Sequence, residues 1–174
     1  MRLVTDFSIC ISPGKHLHAR IAQAQELCSD VVIQSALVSM YGRCGNIWES
    51  AKVFQMLPQH QTDSWNEILS ACNFHGEQNK TLTMFKDMQN VNVPLDETTL
   101  ICTLQACSET GSIDICRHVH SIIALYRIEM DLRLATTLVH AYGNCASMMD
   151  AQEVFNNMPE HDVVSWTALI SGYA

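Results

Sequence analysis

The sequence lacks any apolar run of 18 residues, so no segment is long enough to span a membrane as a helix. It has no Cys-x-x-Cys pair, no G-x-S-x-G and no His-x-Glu…Pro-Cys-x-x-Cys signature of a zinc deaminase. Positive charge is scarce as well, because 10 Lys and Arg face 18 Asp and Glu and the net charge is −8. These absences predict that the chain is not an enzyme and does not coat nucleic acid nonspecifically.

The acidic charge is unevenly distributed along the chain. Residues 1–61 contain five basic and four acidic side chains, whereas residues 62–174 contain five and fourteen. Any polyanionic partner must therefore be held by local contacts. The first ten residues have neither the pattern of a signal peptide nor the Arg- and Ser-rich pattern of a transit peptide.

Eight cysteines are present, and most recur within apolar helical faces. We interpret them as small buried residues of a reducing compartment. The Cys72-x-x-His75 spacing resembles a ligand pair, but the histidines recur with the wider sequence pattern and not as paired metal motifs. We predict no metal site. Ser12–Lys15 lacks the glycine and hydroxyl of a phosphate loop, so we predict a turn that enters a helix.

A segment of 31 residues occurs twice, as Val31–Gln61 and Leu132–Asp162, with a constant offset of 101. Self-similarity at fixed spacing indicates a repeat architecture. Nine positions are identical, namely Leu37/Leu138, Val38/Val139, Tyr41/Tyr142, Gly42/Gly143, Cys44/Cys145, Val53/Val154, Phe54/Phe155, Pro58/Pro159 and His60/His161.

The 70 residues between the two copies divide into two units of 35, and Ser165-Trp166 repeats Ser64-Trp65. Gly14–Ile21 is echoed by Cys116–Ile123. We therefore predict a single repeat array whose units are residues 1–30 (partial), 31–61, 62–96, 97–131, 132–162 and 163–174 (truncated).

Each unit has the pattern of two helices, because apolar residues recur every three to four positions. Glycine marks the turn at 45, 76 and 111, with Ala146 as the exception, and prolines 58, 94 and 159 follow the second helix. An aspartate, which can cap free backbone N–H groups, stands before the next helix at 30, 96, 131 and 162. These patterns predict an all-α fold, a right-handed α-solenoid of stacked helix-turn-helix repeats.

The motifs SWN, ALVSMYGRCG, GKHLHARI and VVSWTALISGYA, with units of 31, 35 and 35, resemble plant pentatricopeptide repeat proteins of the PLS subclass. The resemblance covers nearly the whole chain and departs from the family in Met1–Pro13 and at Gln61. In this classification, 31–61 and 132–162 are S-type, 62–96 and 163–174 P-type, and 1–30 and 97–131 L-type.

The resemblance implies binding of single-stranded RNA in a mitochondrion or chloroplast, one base per repeat, without a cofactor. In the family, the fifth and the last residue of a unit read the base. Asn66 with Asp96 then resembles a uracil reader and Thr136 with Asp162 a guanine reader. Ser35 with Gln61, and Thr167, would prefer a purine, whereas Ile101 with Asp131 would read no base. Val32 and Val164 would pack against a base. Arg133 would contact a phosphate instead.

A purely structural interpretation stays open at each of these positions. Helix capping alone explains the aspartates, and Asn66 and Thr136 can equally be helix residues without a ligand. Asp63 opposes RNA binding by its unit, because a carboxylate repels a phosphodiester.

Three functions are therefore compatible with the sequence. The first is an RNA-binding module that selects a site in an organellar transcript for C-to-U editing or other processing, with an editing deaminase as a further partner. The second is a protein-interaction scaffold like the tetratricopeptide repeats, which the acidic charge favours. The third is a truncated gene product without an independent role.

Overall fold

The computed structural model describes residues 8–24 and 30–173 of the chain. In these two ranges the regular structure consists of ten α-helices and no strand. Their bounds are α1 Ser8–Gln23, α2 Val31–Arg43, α3 Ile47–Gln55, α4 Thr62–Phe74, α5 Gln78–Asn90, α6 Glu97–Thr110, α7 Ile113–Leu125, α8 Leu132–Asn144, α9 Met148–Asn156 and α10 Val163–Gly172. None of these helices combines the length and the apolar character needed for a membrane crossing.

The helices form two compact units, residues 1–76 and 77–174. In the first unit, α2 packs against α1, α3 and α4. In the second, α6, α8 and α10 pack side by side, and α7 and α9 pack against them. The boundary follows Gly76, inside the predicted unit 62–96, so the compact units do not coincide with the repeats.

The turn between paired helices depends on one residue of positive φ. Gly45, Gly76 and Gly111 have φ values of 77°, 80° and 68°, and Ala146 holds the same conformation at 57°. The predicted turn positions are confirmed, including the alanine that replaces glycine. A side chain is disfavoured in this region, because Cβ crowds the backbone.

The repeated Tyr-Gly dipeptide serves close helix packing. A Cβ added to Gly42 of α2 would lie 2.5 Å from Ala71 Cβ of α4, and one added to Gly143 of α8 would lie 3.0 Å from Gly172 Cα of α10. The tyrosine before each glycine is buried. The motif thus brings consecutive first helices together in each unit.

Five of the six cysteines whose side chains the structure describes are buried, as predicted, and Cys145 is half-buried. Cys44, Cys72, Cys102, Cys107 and Cys116 are buried. Burial raises the pKa of the Cys107 thiol to about 12, so it is uncharged at neutral pH. Cys28 and the side chain of Cys10 lie outside the described residues.

The predicted turn at Ser12–Lys15 is wrong. α1 passes through these residues, with Pro13 inside the helix. Pro13 is the sixth residue of α1, so only one helical hydrogen bond is lost to its missing N–H. The Pro-Gly pair is a turn signal in most contexts, and here the helix overrides it.

Candidate nucleic-acid interface

Four aspartates occupy the N-caps of first helices, as the sequence predicts. Asp30 Oδ1 accepts from Val32 N at 2.8 Å. Asp96, Asp131 and Asp162 each accept from the backbone amide three residues on, at 2.8, 2.7 and 2.7 Å. The predicted capping is therefore confirmed at all four positions. Each cap uses one of the two carboxylate oxygens, and a carboxylate can accept about four hydrogen bonds in total.

Asp162 forms a capping box with Ser165. Its carboxylate accepts from the Ser165 amide, and Ser165 Oγ in turn lies 3.0 Å from the Asp162 amide that donates to it. The Ser165 amide is the main cause that lowers the pKa of the Asp162 carboxyl. The carboxylate is thus ionised at neutral pH and can only accept hydrogen bonds.

Gln61 occupies the corresponding position before α4 without such a cap. Its backbone is extended, with φ −86° and ψ 160°, and its side chain makes no hydrogen bond to the helix. Ser64 Oγ donates instead to the Gln61 carbonyl at 2.7 Å. The departure noted in the sequence therefore replaces a capping carboxylate with a side chain that does not cap α4.

The predicted base-reading residues differ in accessibility. Ser35 is half-buried on α2, Asn66 is buried on α4, and Thr167 is exposed on α10. Thr167 Oγ1 donates to the Val163 carbonyl at 2.7 Å, which leaves its oxygen able to accept. Ile101, predicted not to read a base, is buried on α6.

Thr136 is the unusual member of this set. Thr136 as a whole is half-buried on α8, but its Oγ1 atom is inaccessible to solvent and has no hydrogen-bond partner. A buried polar atom without a partner costs about 1–3 kcal/mol. A ligand that pairs with this hydroxyl after rotation of the side chain recovers part of that cost.

In two of the predicted pairs, the members belong to first helices that pack against each other. Thr136 lies on α8 and Asp162 caps α10, and these two helices pack against each other. Ser35 on α2 and Gln61 before α4 stand in the same relation in the first unit. Asn66 belongs to the first unit and Asp96 to the second.

The residues predicted to pack on a base are exposed. Val32 is 77% exposed and Val164 is 62% exposed. Arg133 holds the corresponding place on α8, with Nε 3.7 Å from Glu97 Oε1. An exposed ion pair at this distance is weak, so the guanidinium stays available to an anion.

Sequence reasoning missed a polar cluster on the same helices. Ser108 Oγ of α6 lies 3.2 Å from His140 Nδ1 and 2.6 Å from Asn144 Nδ2 of α8. The available signal was the spacing, because His140 follows Thr136 by one helical turn. In the described parts of the chain, no group of three His, Cys, Asp or Glu is arranged to hold a metal ion.

The model of the PPR repeat matches residues 35–61 and 134–163. The chloroplastic pentatricopeptide repeat-containing protein At4g18520 of Arabidopsis thaliana is 34% identical over 161 residues, which are 92% of this chain and 26% of that protein. At3g47530 of the same plant and family is 37% identical over 165 residues, 92% of this chain and 28% of that protein.

Among solved structures, the fold is similar to the pentatricopeptide repeat protein PPR10, crystallised in complex with an 18-nucleotide psaJ RNA element. The TM-score is 0.75 at 16% identity, and the match covers 95% of this chain and 25% of that one. The likeness confirms the predicted fold class, an α-solenoid of helix-turn-helix repeats. The chain spans about a quarter of the length of the proteins that it matches here.

Proposed function

Because the chain belongs to the pentatricopeptide repeat family, we propose that it binds single-stranded RNA and selects it by base sequence. Repeat proteins of this kind read one base per helical repeat with two or three side chains. The matched structure of PPR10 contains an RNA element, which supports the assignment. The 31- and 35-residue units further support the PLS subclass.

The observation that carries the proposal is the placement of Thr136 and Asp162 on two first helices that pack against each other. A hydroxyl without a partner lies on one first helix, and an ionised carboxylate caps the next helix packed against it. Guanine presents a carbonyl acceptor and N–H donors on its Watson–Crick edge. After rotation of the Thr136 side chain, its hydroxyl can donate to the acceptor while the Asp162 carboxylate accepts from the N–H groups.

The biological setting is part of the same proposal. Relatives are named chloroplastic or mitochondrial, which supports an organellar location. We propose that the bound transcript is edited from C to U or otherwise processed by another domain or protein, such as a deaminase. The chain itself supplies base selection.

The test is binding of RNAs that differ at one base. Uridine tracts of about twelve nucleotides, each with one central G, A, C or U, are compared by fluorescence anisotropy. The unchanged chain should prefer G at that position by about 1 kcal/mol, which is the low end for one reading contact. Thr136→Asn, with Asp162 retained, should shift the preference from G towards a pyrimidine.

Thr137→Asn is the matched control. Thr137 neighbours Thr136 on α8, but its hydroxyl donates to the Arg133 carbonyl at 2.8 Å. This variant should keep the preference for G. If Thr136→Asn also keeps it, the base-reading assignment is wrong.

A scaffold that binds peptides is the second candidate, because the net charge is −8. RNA binding that weakens steeply with salt supports the first function, since neutralised phosphates release counterions. Absence of RNA binding at low salt, with capture of a basic peptide, would support the scaffold.

A further inference from the structure

Ser108, His140 and Asn144 form a hydrogen-bonded cluster between α6 and α8. Asn144 Nδ2 donates to Ser108 Oγ at 2.6 Å, and the same oxygen lies 3.2 Å from His140 Nδ1. Ser108 is buried, whereas His140 and Asn144 are exposed. Because Ser108 Oγ accepts a hydrogen bond from Asn144, its own O–H group can donate to His140 Nδ1.

This network determines whether His140 Nε2 can donate a hydrogen bond to a ligand. We assign the neutral imidazole the tautomer in which Nδ1 accepts from Ser108 Oγ, so that the proton is on Nε2. In the charged imidazolium both nitrogens carry protons, and Nδ1 then donates to Ser108 Oγ. Nε2 is therefore a hydrogen-bond donor in either state, on an exposed side chain whose ring is held by Ser108.

His140 lies on the same face of α8 as two groups already described. It follows Thr136 by four residues and Arg133 by seven, and these spacings bring side chains to one side of a helix. At 1.5 Å per residue, the three span roughly 10 Å along the axis. The Arg133 side chain is 67% exposed. This face thus carries an exposed cation, the half-buried Thr136 and an exposed imidazole in a row.

We propose that His140 Nε2 binds a phosphate of the RNA backbone next to the base that Thr136 and Asp162 read. A phosphodiester offers only acceptors, which suits a group that donates in both of its protonation states. The contact positions the strand and carries no sequence information. This inference rests on the proposed function and adds to it a residue outside the base-reading pairs.

The experiment measures binding of the 174-residue chain to the same four RNAs, with two substitutions that separate a donor from a ring. His140→Gln keeps an N–H donor at a similar reach and removes the ring. His140→Phe keeps the ring and removes the donor. His140→Phe should weaken binding about fivefold to tenfold for all four RNAs alike, and His140→Gln should stay within about twofold of the unchanged chain.

His118→Phe is the matched control. His118 is also exposed, but it lies on α7 and its Nε2 is 3.0 Å from Gln89 Nε2. RNA affinity should not change in this variant. Thermal unfolding followed by circular dichroism verifies that each variant remains folded.

The other outcomes overturn the inference. Loss of binding in His140→Gln alone indicates base stacking on the ring. Equal loss in both variants shows that the N–H donor is not what matters, and no loss in either shows that His140 lies off the strand. A loss confined to one of the four RNAs indicates a base contact. If the unchanged chain binds none of the RNAs, the proposed function fails and this inference with it, whereas the first four results leave that function intact.

Discussion

Each compact unit contains one copy of the repeated segment, Val31–Gln61 (the first copy) in the first unit and Leu132–Asp162 (the second copy) in the second. The copies share nine identical residues, so their contacts can be compared one by one. His60 Nε2 donates to the Phe54 carbonyl at 2.9 Å, and His161 Nε2 donates to the Phe155 carbonyl at 2.9 Å. The same carbonyls also accept from the Leu57 and Met158 amides at 3.1 Å, so each histidine adds a second hydrogen bond at the end of α3 or α9.

The aromatic packing beside these bonds is also the same. The ring centroids of Phe54 and Trp65 are 4.7 Å apart, as are those of Phe155 and Trp166. Each copy thus joins the end of its second helix to the following first helix with a Phe, a His and a Trp.

The tyrosine hydroxyls are held in the same way. Tyr41 OH lies 3.0 Å from His18 Nδ1, and Tyr142 OH lies 3.0 Å from His120 Nδ1. The identical residues therefore make the contacts between neighbouring helices.

Two of the differences between the copies lie at a turn and at a cap. Gly45 is replaced by Ala146 in the turn, and Gln61 by Asp162 at the cap. The backbone conformation is similar in both cases. Packing thus fixes the geometry of a repeat, whereas turn and cap residues adjust its stability. Four pairs of substitutions test this separation.

The largest effect is expected at the tryptophans. Trp65 is 6% exposed and Trp166 is 52% exposed, although both make the same ring contact. Trp65→Ala should lower the free energy of unfolding by about 3–5 kcal/mol, because it removes a buried indole. Trp166→Ala should cost about 1 kcal/mol. Urea unfolding followed by circular dichroism measures the free energy of unfolding of both variants. Equal losses would show that the different exposure of the two tryptophans does not change their contribution to stability.

The glycine of the Tyr-Gly dipeptide should give the next largest effect. A Cβ on Gly42 would meet Ala71 Cβ at 2.5 Å, whereas one on Gly143 would meet Gly172 Cα at 3.0 Å. Gly42→Ala should destabilise by about 1–3 kcal/mol through overpacking. Gly143→Ala should be closer to neutral, because the higher helix propensity of alanine offsets a milder contact.

A double-mutant cycle sharpens this prediction. Ala71→Gly removes the atom that the new methyl group would meet. Combined with Gly42→Ala, it should cost less than the sum of the two single changes. Strict additivity would mean that the clash is not the cause.

Local signals in the sequence predicted most of the helix boundaries. α2, α6, α8 and α10 begin directly after Asp30, Asp96, Asp131 and Asp162, and the positive-φ turns fall where glycine or its replacement stands. These features depend on neighbouring residues, so a single sequence is sufficient. The assignment of P, L and S classes to the units stays a prediction.

Features that depend on distant residues could not be predicted in this way. The His140–Ser108 contact joins residues 32 positions apart, and the inaccessibility of Thr136 Oγ1 depends on surrounding helices. The boundary after Gly76 crosses a predicted repeat for the same reason. Periodicity within one helix identifies a buried face, but it does not identify the partners of a side chain on it.

The cap difference should give an effect of intermediate size. Gln61→Asp introduces a carboxylate before α4 and should raise the free energy of unfolding by about 1 kcal/mol. Asp162→Gln, the reciprocal change, should lower it. The pKa of Asp162 is lower in the folded state than in the unfolded chain, where it is near 3.9. The cap therefore makes its full contribution to the free energy of unfolding at pH values above about 3.9. This contribution is lost as the pH falls through the folded-state pKa.

Unfolding at pH 7 and in strong acid measures this cap effect. The difference between the unchanged chain and Asp162→Gln should narrow in acid. A difference that is the same at both pH values would show that the charge of the carboxylate does not contribute.

The smallest effect is expected in the turn. Ala146 has φ 57°, where Cβ is strained, and Gly45 has φ 77° at the corresponding place. Ala146→Gly should raise the free energy of unfolding by up to about 1 kcal/mol, and Gly45→Ala should lower it by a similar amount. Ala124→Gly on the exposed side of α7 is the control, since the same substitution in a helix should cost about 1 kcal/mol. Opposite signs at Ala146 and Ala124 would assign the effect to backbone conformation, whereas a loss at both positions would mean that the left-handed turn costs this chain nothing.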